Sequence, residues 1–115
     1  MSPNAESRDQ AHDVVYYVVF LNGIPERPMN PSVVELHGEH LAELDRKGQL
    51  VLAGPLVERR GGLIVLRVAN TAEARAIAED DPMVRGGYES YELATWRIAN
   101  LQNSYRPNLQ GARTQ

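Results

Sequence analysis

The sequence has no cysteine, which excludes disulfides and thiolate metal sites. It has no basic cluster, and its formal net charge is -3. Nucleic-acid binding needs clustered cations to displace counterions from phosphates, so both facts argue against such a partner. No apolar run approaches the ~20 residues of a membrane helix. The opening residues, MSPNAESRDQAHD, are polar and mixed in charge, unlike a secretory leader. These absences together predict a cytoplasmic protein that makes no use of a membrane. Lysine is almost missing too: Lys47 stands alone among 12 basic residues, a bias expected of GC-rich bacterial DNA and not of any function. No serine or cysteine sits in a nucleophile motif. No glycine-rich phosphate loop occurs either, since Gly61-Gly62 lacks the rest of such a fingerprint and reads as a turn.

What is present suits one domain of 115 residues, with 43% apolar and 23% charged residues. The organising stretch is Ser32 to Pro55, SVVELHGEHLAELDRKGQLVLAGP. Wound at about 100° per residue, Val33, Leu36, His37, His40, Leu41 and Leu44 fall on one side of a helix. Ser32 and Glu35 suit a capping box, and Gly48 suits the left-handed exit. Residues 1–13 read as a loose arm, and residues 99–115 as a tail for a partner subunit to order. Between them lie strands at 14–21, 49–57, 63–69 and 88–98. The loop 22–31 is long enough to wall a pocket, ERRGG at 58–62 makes a hairpin turn, and Asn70 opens a second helix that Asp81-Pro82 stops.

The order strand, helix, strand, strand, helix, strand predicts an α+β, ferredoxin-like βαββαβ fold, an antiparallel sheet with both helices on one face. Strands 14–21 and 63–69 are apolar on both faces. Their second face would meet water in a monomer, so a homodimer packing sheet on sheet is expected, in preference to a monomer with its tail over that face.

The chemistry rests on histidine, whose proton moves near neutral pH. A histidine in a helix stripe is more often a core residue than a catalyst, but two in one stripe favour a wet cavity. His37 and His40 have an i, i+3 spacing that suits a shared metal, yet no third ligand of fitting spacing stands out. Asp81, before Pro82, is by itself a common turn starter. Tyr17 is either an aromatic wall or core, and Arg59 and Arg60 are most simply a solvated hairpin tip.

Several short motifs stand in a telling order: His40-Leu41-Ala42-Glu43-Leu44, the Gly48 exit, Leu52-Ala53-Gly54-Pro55, Glu79-Asp80-Asp81-Pro82-Met83-Val84, and Gly87-Tyr88-Glu89. Together they resemble the YciI-like (YCII) family over about residues 14–98. The resemblance implies a dimeric α/β barrel and a His-Asp pair, carried here by His40 and Asp81, while His37 matches no hallmark. It implies cofactor-free acid–base chemistry, isomerisation or elimination such as dehydrochlorination, on a small aromatic, quinone-like or lactone substrate. In that cleft His37, Tyr17, Gly54 and Pro55 are the expected substrate contacts. A non-catalytic dimeric module that holds a ligand or partner, and a purely structural role for both residues, remain as other readings.

Overall fold

The structure, a computed structural model, describes residues 13–109. Its elements are β1 (Val15–Gly23), α1 (Pro31–Arg46), β2 (Leu50–Pro55), β3 (Gly61–Leu66), α2 (Thr71–Asp80), α3 (Pro82–Arg85) and β4 (Glu89–Arg97), followed by a 3-10 turn, Leu101–Asn103. The four strands form one sheet in the order β2-β3-β1-β4, the α+β ferredoxin-like arrangement expected from the chain order. Among the described residues, no helix is long and apolar enough to cross a membrane.

Antiparallel pairing places Tyr17 opposite Leu66, Val19 opposite Ile64 and Leu21 opposite Gly62. Because side chains alternate along a strand, these residues share one face. Val19, Ile64 and Leu66 on that face are exposed by no more than 2%. With Leu44 of α1 and Ala74 and Ala78 of α2 they make the core, each large side chain stabilising the fold by about 1.5–3 kcal/mol. The opposite face carries Val18 opposite Val65 and Phe20 opposite Leu63. Leu52, aligned with Val65 on β2, is 66% exposed there.

The caps differ from the sequence expectation. Asn30, not Ser32, caps α1: its side chain accepts from the Ser32 amide at 2.9 Å, and Pro31 takes the first helical position. Asn-Pro serves better here because proline needs no partner for its missing N–H and arrives with a helical φ. Gly48 closes α1 as expected, at φ 74°, with the Gln49 amide donating to the Leu44 carbonyl at 2.9 Å. Asn70 caps α2 as expected, accepting from Glu73 N–H at 2.8 Å, and the Glu73 side chain accepts from the Ala69 amide at 2.8 Å. Beyond the Asp81-Pro82 stop the chain forms a further short helix, α3, Pro82–Arg85.

The described residues fall into two compact units, residues 17–94 and residues 13–16 with 95–109. In the latter, Asn100 and Asn103 cap each other, and Asp13 accepts from the Asn103 side chain at 3.1 Å and the Asn108 amide at 2.8 Å. Tyr16 meets Trp96 edge to face, ring centroids 6.5 Å apart. Most of the expected arm and the end of the expected tail lie outside the described residues.

Gly61 and Gly62 are not a turn. They open β3, where Gly61 pairs with Asn22 and Gly62 with both Leu21 and Pro55. Gly61 has φ 118°, and a Cβ there would drive into the Leu21 carbonyl oxygen. Gly61→Ala should therefore lower the unfolding free energy by about 1–3 kcal/mol, seen as a lower urea midpoint at unchanged slope. An unchanged midpoint would mean that β1 and β3 do not approach so closely.

Candidate functional site

Asp81 stands where two helices meet. Its N–H donates to the Ala78 carbonyl at 3.3 Å as α2 ends. Its Oδ1 accepts from the Met83 amide at 2.9 Å and so caps α3. Pro82 makes this break obligatory, because a residue before proline is steered out of the helical region. The Asp81 side chain is completely buried. A buried carboxyl needs partners to offset the loss of water, and its remaining partner comes from α1.

That partner is His37. Its Nδ1 lies 2.9 Å from both Oδ1 and Oδ2 of Asp81. Carboxylate oxygens only accept, so Nδ1–H donates and the tautomer is set. His37 is half-buried, with 23% of its side chain exposed. It lines a cleft of about 650 Å³, within the size range of small-molecule sites. The cleft walls include Met29, Leu41, Ile64 and Met83, with Gly54 and Pro55 at the end of β2. With Nδ1 committed to Asp81, Nε2 is the ring nitrogen available to a molecule in the cleft. The hydrogen bond to Asp81 raises the His37 pKa above its ordinary 6.5; burial opposes this, and the charges of Asp81 and Glu89 add to it.

The pair differs from the one expected. The resemblance joined Asp81 to His40, whereas the structure joins it to His37, one turn earlier. The cause is α3, which packs along the α1 stripe. Its Met83 side faces the His37 cleft, while Pro82, Arg85 and Gly86 face a separate shallow groove lined by His40. His40 Nε2 is buried with no hydrogen-bond partner among the described residues. Tyr17 is also displaced from its expected role: it is 8% exposed, shares the core face with Val19, and is not among the residues lining the cleft. Gly54, Pro55 and His37 do line it. Among the described residues no group of three His, Asp or Glu side chains is placed to hold a metal ion.

Two cleft residues escaped the sequence reading. Arg60, expected at a solvated tip, folds back as a clasp. Its guanidinium donates to the carbonyls of Arg27 at 2.6 Å, Ile24 at 3.3 Å and Tyr88 at 3.4 Å. Arg27 in turn lies 4.2 Å over the Tyr88 ring, and Asn30 donates to the Tyr88 hydroxyl at 3.3 Å. These contacts hold loop 24–30 beside the segment before β4. Nothing local in ERRGG signals this, because every carbonyl that Arg60 meets is distant in sequence. Glu89 is the second: it begins β4, is 6% exposed and lines the cleft with His37. Burial pushes its carboxyl above the ordinary 4.5; Asp81 adds to that rise, while His37 and Arg60 oppose it. A signal existed in the chain, since Glu89 falls in phase with the apolar Tyr91 and Leu93, and the polar Ser90 and Glu92 fall between them.

The pattern of the YCII-related domain matches residues 15–97. Among solved structures, the chain is similar to 5-chloro-2-hydroxyhydroquinone dehydrochlorinase from Burkholderia phenoliruptrix AC1100, determined in complex with 2,5-dihydroxybenzoquinone. The TM-score is 0.57 at 16% identity, covering 77% of this chain and 99% of that one, a likeness of fold. No curated protein matches it in sequence at a significant level.

Folding raises the proton affinity of His37 above the ordinary 6.5. Its contribution to stability is therefore complete below about pH 6.5 and is lost as pH rises through the raised native value. An NMR titration of the imidazole should place the native pKa above 6.5. Asp81→Asn keeps an acceptor but removes the charge, and should bring that pKa down. Equal values in both proteins would mean that Asp81 does not govern the ring.

Proposed function

This chain belongs to the YCII family, and on that premise we propose that it is a small cofactor-free acid–base enzyme in which His37, oriented by Asp81, moves a proton on a small aromatic, quinone-like or lactone molecule. The observation that carries this reading is the two-oxygen, 2.9 Å contact between His37 and the fully buried Asp81 at the wall of the cleft. The similarity to a dehydrochlorinase supports the reaction class.

Asp81 is the positioning residue. It holds Nδ1 protonated, so Nε2 offers a lone pair to a substrate C–H or O–H. The proton passes to Nε2, and the electron pair left on the substrate forms a new double bond. In an elimination, chloride departs with its bonding pair and the imidazolium then gives up its proton to solvent. In an isomerisation, the imidazolium returns the proton to another atom of the same molecule. Both are redox-neutral and need no second reactant. The imidazolium formed midway is stabilised by the carboxylate behind it. Such proton transfer supplies ~10²–10⁴-fold in rate. Apolar walls keep water from competing and strengthen the charge interaction.

His37→Ala should lower kcat by about 10²-fold or more, measured as chloride release or quinone absorbance with chlorinated hydroxyhydroquinones. His40→Ala should stay within a few-fold of the native enzyme. Full activity in His37→Ala would sink the catalytic assignment. Binding by the native protein with no turnover of any such compound would favour a ligand-holding module instead.

A homodimer in the cytoplasm is part of the same reading. Phe20, Leu63 and Leu52 share the second sheet face, and Leu52 is 66% exposed, the pattern of a surface meant for a partner. Sedimentation velocity should give twice the 12.8 kDa chain mass, and Leu52→Lys should shift the species toward monomer. A monomeric native protein at tens of micromolar would remove the dimer from this account.

A further inference from the structure

The mechanism leaves Glu89 unused. It is 6% exposed and lines the cleft with His37. Among the described residues it makes no hydrogen bond or ion pair of its own; its neighbours His37, Asp81 and Arg60 act on it through charge alone. Its oxygens are not among the side-chain atoms closed off from solvent, so they open onto the cleft. A ligand that displaced solvent from them would have to supply a polar partner in its place, because a carboxyl buried without one is costly.

The surroundings narrow that partner. Met29, Leu41, Ile64 and Met83 offer apolar contact, which suits the faces of a ring. A ligand carboxylate would bring a like charge against Glu89 and Asp81 in a site of low polarity, which is costly. A ligand hydroxyl meets Glu89 in either protonation state, since a hydroxyl both donates and accepts. Its position near His37 also puts such a hydroxyl on the part of the ring where a proton is to move.

We infer that Glu89 is the specificity-determining residue of the cleft: its carboxyl holds a hydroxyl of the bound ring and selects hydroxylated rings over their deoxy and carboxylate counterparts. This rests on the small-molecule role proposed for the cleft. It goes beyond it by naming the group that recognises the substrate and the feature recognised.

The test uses the full chain and three probes followed by NMR titration: hydroquinone, p-xylene as its deoxy counterpart of similar size, and benzoate. The native protein should bind hydroquinone about tenfold or more tighter than p-xylene, the cost of stranding a buried polar group, and should bind benzoate least. Glu89→Leu should erase the preference, with p-xylene bound as well as or better than before. Glu89→Met, of similar length, repeats the test if the leucine variant folds poorly, and Glu89→Gln should recover most of the preference through its amide. Absence of a hydroquinone preference in the native protein, including failure to bind it, overturns the inference. So does a preference that survives in the leucine or methionine variant. His37→Ala separates the two claims: it should lose turnover and keep the preference. Loss of turnover without any Glu89-dependent preference defeats this inference alone, and a Glu89-dependent preference with turnover intact in His37→Ala defeats the catalytic reading alone.

Discussion

A carboxyl group with no access to water sits at the junction of two helices, and much of the molecule is arranged around keeping it paired. Asp81 ends α2, starts α3 and accepts from His37 of α1. Losing the His37 partner would leave a buried group under-satisfied, at a cost of about 1–3 kcal/mol. The helices are thus coupled to each other through one side chain. The same contact directs the histidine, because a ring held by one nitrogen presents the other in a known direction. Fold stability and candidate chemistry therefore depend on one interaction.

The rest of the site is built by approach of distant backbone. Gly61 and Gly62 let β3 come close to β1 and β2, and both line the cleft together with Gly54 and Pro55. Arg60 directs Nη1 and Nη2 at carbonyls of loop 24–30 and of Tyr88, while its Nε has no partner among the described residues. An arginine so occupied is a strut, and its remaining influence on the cleft is the charge it directs at Glu89. Met29, in the loop held by that strut, completes the apolar side of the cleft. The site is therefore a polar pair and a lone carboxyl set among apolar walls, a contrast that favours directional recognition of a small molecule.

Much of the architecture was legible in the chain. The strand run at VVYYVVFL, the stripe Val33-Leu36-Leu41-Leu44, the Gly48 exit and the Asp81-Pro82 stop each state a local rule, and the observed elements follow them within a few residues. Sequence-local features that compete at short range were harder. Asn30 and Ser32 both suit a cap, and Pro31 decided for Asn30. Gly61-Gly62 suits a turn as well as a strand start, and only pairing with Leu21 and Pro55 distinguishes them.

The candidate site was legible in kind but not in identity. That a histidine of α1 would meet Asp81 followed from the family resemblance alone, since by itself Asp81 before Pro82 reads as a turn starter. Which histidine it would be did not, because His37 and His40 share one stripe and differ by a small rotation about the helix axis. Packing of α3 along that stripe sent them to opposite sides, His37 to the cleft and His40 to the groove beyond. Glu89 and Arg60 gained their places through contacts with residues far away in sequence. The sequence by itself determined the elements, their order and the chemical types at hand, since periodicity, capping and proline act over a few residues. Tertiary structure alone decided which of those groups face one another, because that depends on where a short helix comes to rest against a longer one.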